Sequence, residues 1–153
     1  MTLYAYRLGT EAEEEFKRNF MVMKPIGLVF EEYQYKVEMP GLIPGRSGAL
    51  QRFDIVASKG ATEIVVLDLI ASEKDIDEVP VAAMYAKIFD VAPTQSLLVA
   101  IPSLSERAKR LANLYRITTI EAENPQTAAD HIKEKFGWSG LAGNEDSFGD
   151  LQL

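Results

Sequence analysis

Two aspartates stand inside apolar, β-rich runs: Asp54 in Phe53-Asp54-Ile55-Val56-Ala57 and Asp68 in Ile64-Val65-Val66-Leu67-Asp68-Leu69-Ile70. Taking a carboxylate out of water is costly unless it is paired, protonated or bound to metal. The runs are joined by a short turn over residues 58–62, with Gly60 at its centre, and together read as a β-hairpin. Two carboxylates on neighbouring strands can share a metal ion; the plainer alternative is that backbone amides at strand ends satisfy them. The chain has no cysteine and one histidine, His131. Thiolate catalysis, disulfides and a multi-histidine site within one chain are thereby excluded. A metal here would be held by oxygen, which favours Mg²⁺ or Mn²⁺.

The elements that must position these carboxylates follow from periodicity and punctuation. Residues 2–7 alternate loosely and predict a short edge strand. Thr10-x-x-Glu13 is a capping-box pattern, and Ala12, Phe16, Phe20 and Met23 recur at helical spacing, so a helix is expected up to Pro25-Ile26-Gly27. A long strand is expected over 28–39 and a Gly/Pro-rich loop over 40–48, followed by the hairpin, whose second strand is apolar enough to lie buried mid-sheet. Asp77 is the expected cap of a helix over 77–90 that is apolar on nearly every side. Beyond it come an apolar strand at 96–101, a helix at 103–115 capped by Ser103-x-x-Glu106, and a short strand at 117–120. Asn124-Pro125 then opens a last helix, closed by Gly137.

At 153 residues, with 47% hydrophobic and 25% charged residues, the chain has the composition of a globular protein with one core. One domain is expected over 1–137 and an acidic, flexible tail over 138–153, the tail being a candidate peptide for a protein partner. No run is long and apolar enough for a membrane span, and the N-terminus lacks signal-peptide character, so a cytoplasmic location without membrane contact is expected. The net charge of −7 argues against a nucleic-acid binder without removing that class, because a local basic patch can act within an acidic protein. Arg107, Lys109, Arg110 and Arg116 form the dense basic cluster, three of them on one helix. The all-round apolar helix at 77–90 has more apolar surface than one sheet can cover, and a homodimer contact is expected there.

The element order, with these two carboxylates, resembles the PD-(D/E)XK nuclease superfamily, and within it small prokaryotic domains of the Holliday-junction-resolvase and Mrr-like type. The likeness covers about residues 10–121. Phe53-Asp54-Ile55-Val56 is similar to the family's aspartate phrase, and Val66-Leu67-Asp68-Leu69-Ile70-Ala71-Ser72 to its hydrophobic-(D/E)-x-K phrase. The resemblance implies an α/β fold of restriction-endonuclease-like type, a mixed central sheet flanked by helices on both faces. It further implies Mg²⁺ or Mn²⁺ held by Asp54, Asp68 and the carbonyl of Leu69, with Glu13 as the glutamate of the first helix. Ile70 stands where the family has its lysine, and isoleucine can neither orient a water nor offset phosphate charge. Lys36, Lys59 and Lys74 are the candidates for a relocated lysine, and Arg46 and Arg52, flanking the Gly-rich loop, for nucleic-acid contact. The leading expectation is a degenerate nuclease-like domain without turnover, needing no cofactor and acting in nucleic-acid-associated assembly or protein interaction. The alternative is an active Mg²⁺-dependent DNA endonuclease.

Overall fold

The computed structural model describes residues 10–138, with side chains over 20–136. The expected edge strand at 2–7 and the tail after Trp138 lie outside the described residues. In chain order the elements are helix α1 (Thr10–Glu32), strands β1 (Lys36–Glu38), β2 (Gly41–Pro44), β3 (Leu50–Phe53), β4 (Ile55–Lys59) and β5 (Glu63–Ala71), helix α2 (Glu78–Val91), strand β6 (Gln95–Ile101), helix α3 (Glu106–Leu114), strand β7 (Thr118–Glu121) and helix α4 (Pro125–Trp138).

Five strands form one sheet in the order β1-β4-β5-β6-β7, antiparallel from β1 to β5 and parallel from β5 to β7. The apolar strand expected mid-sheet is β5, at its centre. Its alternate residues feed two cores. Val65 and Leu67 pack with Ile26 and Phe30 of α1 and Ala128 and Ile132 of α4. Val66 and, more exposed, Ile64 and Ile70 pack with Val81 and Met84 of α2 and Ala108 and Ala112 of α3. Helices thus cover both faces of a mixed sheet, as expected. Strands β2 and β3 make a separate two-stranded sheet, with Gly41 opposite Phe53 and Pro44 opposite Leu50.

Three expectations are corrected. First, α1 does not stop at Pro25: it runs nine residues past Met23, to Glu32. Proline costs an interior helix one hydrogen bond, but Met23, Ile26, Val29 and Phe30 continue the helical spacing and are all buried, so packing outweighs the lost bond. Gly27 is a packing residue here, since a Cβ would come within 2.7 Å of the Met39 sulfur. What looked like a strand over 28–39 is therefore the end of α1, a turn and the three-residue β1. Second, the Gly/Pro-rich loop contains β2, and the strand carrying Asp54 is broken there into β3 and β4. Third, the cap of α3 is Ser105, whose hydroxyl accepts from the Ala108 amide at 3.1 Å; the Ser103 hydroxyl bonds Asp75 instead. Asp77 does cap α2, accepting from the Val79 amide at 3.0 Å.

Helix α2 buries Val81 and Met84 and leaves Val79 and Phe89 open to solvent in the single chain. Among the described residues no helix is long and apolar enough to cross a membrane.

Candidate functional site

Asp54 sits at the point where the chain leaves the β2–β3 hairpin and enters the central sheet. The β4–β5 ladder begins with Ile55 opposite Leu67, so Asp68 and Leu69 extend past the start of β4. Asp54 turns its side chain into that gap. Its Oδ2 accepts the Leu69 amide at 2.8 Å, and its own amide donates to Asp68 Oδ1 at 2.9 Å. The two aspartates are thus locked together through reciprocal backbone bonds, which meets the hydrogen-bonding demand that the end of β4 would otherwise leave open.

The remaining oxygens face cations. Arg52, on β3, donates to Asp54 Oδ1 at 3.1 Å while staying largely exposed. Lys87, on α2, reaches Asp68 Oδ2 at 2.6 Å. The same ammonium donates to the Arg52 carbonyl at 2.6 Å and lies 4.5 Å from the centre of the Phe53 ring. Asp68 is only 9% exposed. Burial pushes its carboxyl pKa above the ordinary range, and like charge on Asp54 adds to that, while Lys87 and the Asp54 amide pull the other way.

Lys87 is not among the lysines that the sequence motif points to, which lie on or beside the strands. The signal was present: Lys87 is a lone cation in Val79–Asp90 sequence that is otherwise apolar up to Phe89, and it follows Val81 and Met84 at the helical spacing of three. A charge on the buried stripe of a helix needs a partner for the same reason as one in an apolar strand. It also meets the correct face. Asp68 and Ile70 are two residues apart on β5 and share the face covered by α2.

The three lysines named from sequence lie elsewhere. Lys59 is at the opposite end of β4, across from Glu63, with its ammonium 4.8 Å from the Tyr35 ring centre. Lys36 is exposed on β1, opposite Ser58. Lys74 is exposed beyond β5, its amide bonding the Ser72 hydroxyl at 3.4 Å. Arg46 is separated from Arg52 by the hairpin: its guanidinium donates to the Phe89 carbonyl and lies 5.2 Å from that ring, next to Asp90. Asp90 accepts from the Ser47 amide, the Ser47 hydroxyl and Gln51, which fastens the β2–β3 loop to α2. Glu13 belongs to the first turns of α1, and its side chain lies outside the described residues.

Among the described residues no three His, Cys, Asp or Glu side chains gather as a metal-ligand group. Two hard carboxylates remain, which suits Mg²⁺, an ion usually held by one or two carboxylates with water and substrate oxygens completing its shell. The donor set fits such an ion and does not fit a soft metal.

No family model matches the chain, and no curated protein does. Among solved structures it is similar to a protein of unknown function, AF1548, with a TM-score of 0.53 and 20% identity over 67% of this chain. It is also similar to the MspJI restriction endonuclease, solved in complex with a 27-mer oligonucleotide, with a TM-score of 0.48 and 18% identity over 96% of this chain. The chain spans 55% of the length of the first and 34% of the second. The five-stranded mixed sheet with helices on both faces is consistent with a restriction-endonuclease-like fold.

Proposed function

We propose that the Asp54–Asp68–Lys87 cluster is a phosphodiester-hydrolysing site of the nuclease type, acting on DNA, with α2 supplying the lysine that the strand motif lacks. The observation that carries this reading is the contact between Lys87 Nζ and Asp68 Oδ2 at 2.6 Å, on the face of β5 that Ile70 shares. Asp54 and Asp68 would hold Mg²⁺ or Mn²⁺, with the Leu69 carbonyl as a further oxygen and Glu13 as the acid recruited from α1. Such an ion, when bound, polarises the phosphate and lowers the pKa of a water. Lys87 would orient that water and offset charge developing on the phosphate. Arg52, exposed beside Asp54, would hold a non-bridging phosphate oxygen. Burial raises the proton affinity of Asp68, so the deprotonated state this role needs is favoured towards neutral and alkaline pH.

The second reading is a degenerate domain without turnover, acting through nucleic-acid-associated assembly or protein contact. It is favoured by the closure of the network. Each of the four carboxylate oxygens already has a donor, and Lys87 is shared between Asp68, the Arg52 carbonyl and the Phe53 ring.

Cleavage of supercoiled, linear and four-way-junction DNA with Mg²⁺ or Mn²⁺ decides between them. The nuclease reading expects cleavage by the wild type and none by Asp68→Ala or Lys87→Met. It also expects partial recovery when Ile70→Lys is added to Lys87→Met, because that restores an ammonium on the same face. Cleavage that survives Lys87→Met would remove Lys87 from the reading. Absence of cleavage by the folded wild type would leave the degenerate domain.

A further inference from the structure

A concavity lies at the outer edge of the sheet, away from the carboxylates. It has a volume of about 440 Å³ and is lined by Lys109 and Asn113 of α3, Arg116 just after it, Thr118 and Thr119 of β7, and Lys135 of α4. Thr119 and Asp68 share a cross-strand row with Leu98 between them, so two strand spacings, about 10 Å, separate the cleft from the site above.

In a chain of net charge −7, this cleft gathers three cations. Lys109 is shared between Glu106 at 3.5 Å and Glu121 at 3.7 Å. Arg116 and Lys135 form no ion pair among the described residues. β7 is the last strand of the sheet among the described residues, where its outer side has no strand partner, and the Asn113 amide and the threonine hydroxyls add neutral donors. Two uncompensated cations with a third nearby match a dianion better than a single carboxylate, and a guanidinium fork fits phosphate oxygens in particular. The volume exceeds the ~30 Å³ share of one water many times over, which leaves space for whatever carries the phosphate.

We propose that this cleft binds a phosphate group, carried by a nucleotide or by the backbone of a nucleic-acid strand, with Arg116 and Lys135 as its principal ligands. The proposal does not depend on the carboxylate cluster being catalytic.

Arg116 offers an unusually clean variant. It adopts a left-handed φ of 61° at the end of α3, with its amide bonded to the Asn113 carbonyl and the Ile117 amide bonded to Ala112. That helix ending is the one glycine normally fills. Arg116→Gly therefore removes the guanidinium from a position where glycine suits the backbone. Titration calorimetry without divalent metal, using inorganic pyrophosphate and a mixed-sequence single-stranded oligodeoxynucleotide, tests the proposal. Binding of pyrophosphate is expected, weakened roughly tenfold to a hundredfold by Arg116→Gly, as befits loss of a charge-assisted bond. Lys135→Gln should weaken it as well, whereas Lys133→Gln, whose ammonium pairs with Glu32, should leave it unchanged. A strand that binds more tightly than pyrophosphate, with the same dependence on Arg116, identifies the nucleic-acid source; a strand no tighter identifies the nucleotide. Equal binding by wild type and Arg116→Gly, or no binding of either probe, overturns the proposal.

Discussion

The two ends of the β4–β5 hairpin are built from similar parts and differ in what surrounds them. At the turn end, Lys59 lies on the Tyr35 ring, and the Tyr35 hydroxyl donates to Glu63. At the open end, Lys87 lies on the Phe53 ring and goes directly to Asp68. Each end has an acid, a lysine and an aromatic face. At the turn the lysine comes from β4 itself and the acid is satisfied by a neutral phenol. At the open end the lysine comes from a helix packed over the sheet, and the acid is nearly buried at the sheet's centre. The first arrangement staples a hairpin to the aromatic cluster of Tyr35, Phe30 and Phe136. The second holds charges together out of water, where each depends on the other.

That dependence gives the largest expected effect. Losing one partner of a buried ion pair typically costs about 3–5 kcal/mol. The Lys87 side chain is 26% exposed, so Lys87→Met should cost somewhat less, about 2–3 kcal/mol, in urea denaturation. A cost below about 1 kcal/mol would mean that the pair is screened as a surface pair is and that the two ends are equivalent.

The acid itself sharpens the contrast through pH. Burial holds the Asp68 pKa above its ordinary value of about 3.9. The folded chain therefore takes up this proton at a higher pH than the unfolded chain does. Its contribution to stability is fully present below the ordinary value and is lost as pH rises through the raised one. Stability of the wild type relative to Asp68→Asn should accordingly increase as pH falls across that window, as followed by urea midpoints. A relative stability that stays flat across the window would show that Lys87 cancels the burial.

These two ends were unequally legible in the sequence. Asp54 and Asp68 stood out because each is a lone charge in an apolar β run, and burial makes such a charge costly whatever its role. Lys87 obeys the same logic but sits in a helix whose remaining residues read as apolar all round, so the helix suggested a contact surface rather than a donor. The gap that Asp54 fills could not be read from periodicity at all. It arises because β4 starts two residues later than the apolar run does, a matter of register between strands. Pro25 and Gly27 hide the continuation of α1 because local punctuation signals a stop there, whereas the spacing of Ile26, Val29 and Phe30 continues the helix and tertiary packing decides for it. The mixed sheet with helices on both faces, resting on long apolar runs separated by turn residues, was the most readable feature.

The turn end supplies the smallest effect and the complementary pH window. Burial and the neighbouring Glu63 push the Tyr35 phenol well above its ordinary value of about 10. Both groups thus shift in the same direction, and the sign is the same: the contribution of Tyr35 is present below pH ~10 and is lost as pH rises past the value at which the unfolded chain ionises. Tyr35→Phe keeps the ring and its contact with Phe136, removing the hydroxyl alone. It should cost about 1 kcal/mol at neutral pH, within the usual range for one hydrogen bond. Above pH ~10 it should lose less stability than the wild type, since it has no phenol to hold neutral. Parallel alkaline profiles for the two proteins would mean that the Tyr35–Glu63 bond opens readily to water. The turn end would then be a surface contact, and the resemblance between the two ends would rest on residue types alone.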